Sequence, residues 1–92
     1  MIASFRCADT EAVHLGIGCR KVKMIERAAM TRLARLDAAT TLHDLAAIPG
    51  NRLEVLRGDR AGQYSIRVND QWRICFTWHE GRAHDVEITD YH

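Results

Sequence analysis

Ninety-two residues, 47% of them apolar and 27% charged, suit one domain over residues 1–92 and exclude a disordered chain. No apolar run approaches the roughly 20 residues of a membrane span. No basic stretch leads into an apolar segment at the start, so no membrane partner and no export are expected, and the expected compartment is cytoplasmic. The net charge of +1 conceals a polarity: Arg20 to Arg35 holds six basic residues against Glu26 alone, whereas Glu80 to His92 holds four acids against Arg82. That segregation suits an anionic partner on one side, although charge alone favours a solvated helix face. Cys7, Cys19 and Cys75 are odd in number and lack CxxC spacing, which argues against a disulfide framework and a zinc site.

In chain order, Ile2 to Cys7 reads as a short strand, and Asp9 as the cap of a short helix running through Leu15 to the Gly16–Gly18 break. Val22, Ile25, Ala29, Leu33 and Leu36 recur at steps of three and four, which predicts a longer helix with an apolar stripe inward and its basic residues outward. Thr41-x-x-Asp44 has capping-box spacing and predicts a short helix that Pro49-Gly50 ends. Beyond it, Leu53 to Leu56 reads as a strand. Tyr64, Ile66 and Val68, then Trp72, Ile74, Phe76 and Trp78, alternate with polar residues at period two and predict two half-buried strands. Asn69-Asp70 has the position of a two-residue hairpin turn taking positive φ, Gly81 centres the next turn, and Val86 and Ile88 mark a last strand. Helices first and strands afterwards predict an α+β fold, N-terminal helices packed on one face of a mainly antiparallel four- to five-stranded sheet.

Two constellations could carry chemistry. Arg57, Arg60, Arg67 and Arg73 fall within seventeen residues, Arg67 and Arg73 on the outward face of the central hairpin. Guanidinium groups pair bidentately with phosphate, so the four could form a phosphate-binding concavity; cross-strand ion pairing with acids such as Glu54 or Glu87 explains them equally well. The second constellation is Asp90-Tyr91-His92, which closes the sequence. An imidazole titrates near pH 6.5 and is the best proton-transfer group here, Asp90 can favour its charged form, and the Tyr91 ring can stack on an unpaired base. A frayed terminus is the plain alternative. Parity sets a difficulty: with Val86 and Ile88 inward, Asp90 and His92 point inward too, so either the core has run out by Asp90 or a bulge re-aims the end.

The run Leu53-x-x-Leu56-Arg57-Gly58-Asp59-Arg60-x-Gly62-x-Tyr64-Ser65-Ile66, with Asn69-x-x-Trp72-Arg73-Ile74-x-Phe76, Gly81 and Asp90-Tyr91-His92, resembles the HigB-like toxins of the RelE superfamily. The resemblance spans nearly the whole chain and is specific in its C-terminal half. It implies a RelE-like fold and a toxin of a type II toxin–antitoxin pair that enters the ribosomal A site, cleaves mRNA and inhibits translation. It implies catalytic roles for His92, Asp90, Tyr91, Arg73, Arg57 and Glu54, and RNA contacts from Arg60, Arg67, Gln71, Lys23 and Arg27, with no cofactor and no metal. The implied partner is a HigA-like helix-turn-helix antitoxin, through which alone operator DNA would be reached. Glu54 stands where some members have histidine and Arg57 where lysine is common, so the division between general acid and base is open. A different class is also open: a non-catalytic binding toxin, either a ParE-like gyrase inhibitor or a co-repressor acting with its antitoxin, since such relatives share a fold.

Overall fold

The computed structural model describes residues 1–90. Three helices, α1 (Ala8–His14), α2 (Glu26–Ala38) and α3 (Leu42–Ala46), precede a sheet of β1 (Glu54–Val55), β2 (Tyr64–Arg67), β3 (Trp72–His79) and β4 (Arg82–Asp90). The strands lie in the order β1-β2-β3-β4, every pair antiparallel. The α+β expectation, with helices leading and a mainly antiparallel sheet, is met. Among the described residues no helix is long and apolar enough to cross a membrane.

The predicted apolar stripe forms the core. Val22, Ala29, Leu33 and Leu36 are buried against Ile66, Ile74, Phe76 and Val86 from the sheet, with Trp72 and Ile88 packed at the margin. The stripe does not run along one helix, however. Arg20–Ile25 is a 3₁₀ turn, irregular at Val22 (φ −119°, ψ 24°), and α2 begins only at Glu26. Three residues per turn place the two β-branched residues Val22 and Ile25 over one another, so the inward face continues through a different helical geometry. Upstream, Gly18 (φ +90°) lets the Glu26 carboxylate lie where a Cβ would stand.

Two N-terminal expectations are corrected. Asp9 does not cap α1: the cap position is Cys7, without a side-chain hydrogen bond, and Asp9 lies in the first turn, where a negative charge suits the helix dipole. Ile2–Cys7 is not a fifth strand but makes two isolated parallel bridges, Ile2 with Ala83 and Phe5 with Val86. Between those partners β4 carries a bulge at Asp85 (φ +53°), opposite the register shift between Cys75 and Thr77. A ladder cannot run through a bulge. The segment instead grips each side of it, with Ala3 N–H donating to the Ala83 carbonyl at 2.7 Å and Arg6 N–H to the Val86 carbonyl at 2.9 Å.

The capping box of α3 is complete. Asp44 N–H donates to Thr41 Oγ1 at 3.1 Å and Thr41 N–H donates to Asp44 Oδ2 at 3.2 Å. Hydrogen bonds from the Thr40 side chain and backbone, then from Thr41, hold the Asp44 carboxyl below its ordinary value of 3.8. A depressed carboxylate stabilises the fold above its unfolded-state value and loses that contribution as pH falls through the lowered folded value. We expect Thr41→Ala, which removes the cap, to cost about 1 kcal/mol at neutral pH, and the wild-type to lose the Asp44 contribution progressively as pH falls through the unfolded-state value and then the lowered folded one. Urea titrations of both chains at pH 7 and pH 3 check this; equal stability of the two at pH 7 would remove the cap from the account.

Candidate active site

Strand register divides the candidate residues between the two sheet faces. Glu54 pairs with Ser65, Ser65 with Cys75 and Cys75 with Glu87, while Arg67 pairs with Arg73 and Arg73 with Thr89, so all of these share the face away from the helices. Arg73 is only 8% exposed on that face, because the segment running into β1 folds over it. Its Nε donates to Ser65 Oγ at 2.6 Å, its Nη2 to the Arg52 carbonyl at 2.6 Å and the Ser65 carbonyl at 3.3 Å, and its Nη1 lies 4.0 Å from Glu54 Oε1. A buried cation needs such partners, since desolvation without them costs several kcal/mol.

Of the two readings open for the four arginines, ion pairing describes most of their contacts. Arg60 Nη1 donates to Glu87 Oε1 at 3.2 Å and to Gln63 Oε1 at 3.0 Å, and Arg67 pairs with Asp70. Cross-strand and turn acids thus lie beside three of the four, Glu87 at Arg60, Asp70 at Arg67 and Glu54 at Arg73, while Arg57 is solvent-exposed. The expected positive-φ turn at Asn69-Asp70 is also absent: neither residue has positive φ, and Asn69 Oδ1 instead accepts the N–H groups of Gln71 (2.9 Å) and Trp72 (2.8 Å). That side-chain turn frees Asp70 to meet Arg67. The next turn fits its expectation, with Glu80 (φ +53°) and Gly81 (φ +75°) both left-handed.

Asp90 belongs to the other group. It pairs with Trp72 across β3–β4, on the helix side of the sheet, and its Oδ2 accepts from Gln71 Nε2 at 3.2 Å. Here the core has run out: Trp72, Ile88 and Asp90 border an open cleft of about 440 Å³ whose far wall includes Cys7, Thr10 and Lys21. The parity difficulty is thereby answered at Asp90, since the bulge lies upstream of Val86 and leaves Ile88 inward. Tyr91 and His92 lie outside the described residues. Lys23, on the 3₁₀ turn, and Arg27, on α2, are exposed as expected, but Arg35 turns toward the fold and donates to Asn51 Oδ1 at 3.2 Å. Among the described residues no three His, Cys, Asp or Glu side chains converge as a metal-ligand set.

The family profile described as "RelE-like toxin of type II toxin-antitoxin system HigB" matches residues 9–92. The chain belongs to the HigB-like family of RelE-like toxins. Curated relatives include Toxin HigB-1 of Vibrio cholerae serotype O1, 49% identical over 59 residues (64% of this chain), and Endoribonuclease HigB of Proteus vulgaris, 40% identical over 65 residues (66% of this chain). The chain spans 62% and 65% of the length of these HigB relatives, just under two thirds. The fold is similar to the YoeB–YefM complex from Staphylococcus aureus, at TM-score 0.62 and 17% identity over 100% of this chain and 98% of that one. A heterotetrameric YoeB–YefM toxin–antitoxin complex from the same organism gives 0.63 and 15% at the same coverage. At such identities the likeness concerns architecture alone.

Sequence reasoning missed Ser65, Asn51 and the Arg52 carbonyl as parts of this site. Ser65 had a signal in hindsight, since it lies across β2–β3 diagonally from Arg73. Asn51 and Arg52 had none, because their roles depend on how the α3–β1 connection crosses the sheet.

Proposed function

We propose that this HigB-like protein is a ribosome-dependent mRNA endoribonuclease that inhibits translation and is neutralised by a HigA-like helix-turn-helix antitoxin. The observation that carries the reading is Arg73, a nearly buried cation oriented beside Glu54, in a family that includes a relative named an endoribonuclease. Cleavage would proceed by attack of the RNA 2′-hydroxyl on the adjacent phosphorus, with departure of the 5′-oxygen. Arg73 and Arg57 stabilise charge on the phosphorane. Arg57 cannot give up its proton at neutral pH, so it contributes charge rather than acid catalysis. Glu54 or His92 removes the 2′-hydroxyl proton, and Asp90 and Tyr91 support the histidine and the base stack. Arg60, Arg67, Gln71, Lys23 and Arg27 contribute RNA contacts. No cofactor or metal enters this scheme, and the operator is reached only through the antitoxin.

Around the nearly buried Arg73, Arg57 is exposed and Arg60 and Arg67 are half-exposed, so the ribosome is expected to present the message to them. Cleavage of ribosome-bound message should therefore be far faster than cleavage of the same RNA free in solution. It should persist after EDTA treatment when other cations keep the ribosome intact. Equal rates on both substrates would remove ribosome dependence, and loss of activity restored by one divalent metal would remove metal independence. Growth arrest with intact message would favour the gyrase-inhibitor class instead.

A further inference from the structure

Arg73 is braced from two independent directions. Ser65, itself fully buried on β2, accepts Nε on its hydroxyl and Nη2 on its carbonyl. The Arg52 carbonyl accepts Nη2 from the other side at 2.6 Å. Arg52 takes a left-handed backbone (φ +45°), a conformation that is strained for a non-glycine residue and persists only where neighbours hold it. The neighbour that holds it is Asn51, which is fully buried. Its Nδ2 donates to the Leu45 carbonyl at 3.1 Å, its Oδ1 accepts from Arg35 Nη1 at 3.2 Å, and its carbonyl accepts the Arg67 N–H at 2.6 Å. α2, α3 and β2 thus all pin the residue before the Arg52 carbonyl.

A guanidinium is planar, so anchoring Nε and Nη2 fixes where Nη1 points. That direction is toward Glu54, 4.0 Å away at the β1 edge of the outer face. We propose that Ser65 is a positioning residue for Arg73, its hydroxyl setting the guanidinium plane against the Arg52 carbonyl so that Nη1 faces the scissile phosphate beside Glu54. This rests on the reading of Arg73 as a stabiliser of the phosphorane. A donor already aimed at developing charge has no reorganisation to make during the reaction, whereas an unbraced arginine must lose its rotamer freedom at that moment.

The test compares Ser65→Ala, Ser65→Thr and Arg73→Ala by single-turnover cleavage of ribosome-bound message, ribosome affinity and thermal midpoint. Ser65→Ala is expected to slow cleavage by about 10- to 100-fold while affinity for the ribosome stays as in wild-type. Ser65→Thr, which keeps the hydroxyl and suits a strand, is expected to recover the rate. In an Arg73→Lys background the fork is gone, so adding Ser65→Ala should slow the reaction little further. If Ser65→Ala does not fold, Ser65→Cys keeps the size with a weaker acceptor and should show slowing in the same sense. An unchanged rate in folded Ser65→Ala or Ser65→Cys, with a slow Arg73→Ala, overturns the proposal. Full additivity in the Arg73→Lys background overturns it too. An unchanged rate in Arg73→Ala overturns instead the underlying reading of Arg73.

Discussion

Replacing Arg73 with alanine is expected to lower the single-turnover rate on ribosome-bound message by about 10- to 1,000-fold, the range for removing one electrostatic stabiliser. Ribosome affinity should change less, because Arg73 is nearly buried and offers little surface for docking. The substitution also leaves Ser65 Oγ and the Arg52 carbonyl without their donor. Such orphaned groups cost about 1–3 kcal/mol, so rates must be compared at a temperature where thermal melts show both proteins folded. A loss confined to affinity would move Arg73 from the chemistry to the docking surface. Arg57 gives a contrasting expectation: exposed as it is, Arg57→Lys should be mild if charge alone matters and harmful if bidentate phosphate contact matters.

The largest effect is expected at the attacking group and its base. Replacing the single attacking 2′-hydroxyl by hydrogen in ribosome-bound message should block cleavage and leave binding nearly intact, since the substitution removes the nucleophile and almost no contact area. His92→Ala should slow cleavage by about 10²- to 10⁴-fold, the usual contribution of general acid–base catalysis, and should relieve growth arrest. Glu54→Gln, measured beside it, separates the two candidate bases: the dominant base is the one whose removal flattens the acid limb of the pH–rate profile. Continued cutting of the 2′-deoxy message would replace internal attack with hydrolysis by water. Full toxicity of His92→Ala, with cleavage unchanged, would take His92 out of the mechanism.

Features set by neighbouring residues were legible in the sequence. The Thr41–Asp44 box, the period-two runs of β2 and β3 and the apolar stripe from Val22 to Leu36 all follow from local spacing, and each forms. Features set by long-range contact were not. A strand at Ile2–Cys7 is a sound local reading, but its partner strand is broken at Asp85, and only the folded chain reveals that. The site shows the same division. Period two put Arg67 and Arg73 on one face, as found, yet it could not say that the Arg52 carbonyl would cover Arg73 or that Glu87 would engage Arg60. Strand parity points Asp90 inward, and there it borders a cleft together with Trp72, Thr10 and Lys21, residues that local spacing does not bring together.

The extra residue at Asp85 sets the phase of everything that follows. Ala83 and Val86 are both fully buried although they stand three apart, an odd interval that an unbroken strand would send to opposite faces. Deleting Asp85 would therefore bring Ala83 and Val86 to an even interval and straighten the strand with Val86 and Ile88 still inward. Deleting one residue just after Val86 would instead invert the tail and deliver Asp90 to the face of Arg73 and Glu54. From Val86 onward the chain can absorb changes of residue far better than changes of length, so one missing codon there would be more disruptive than several conservative replacements. Asp85→Gly, which keeps the count and suits the positive φ, is the exchange this position accepts most readily.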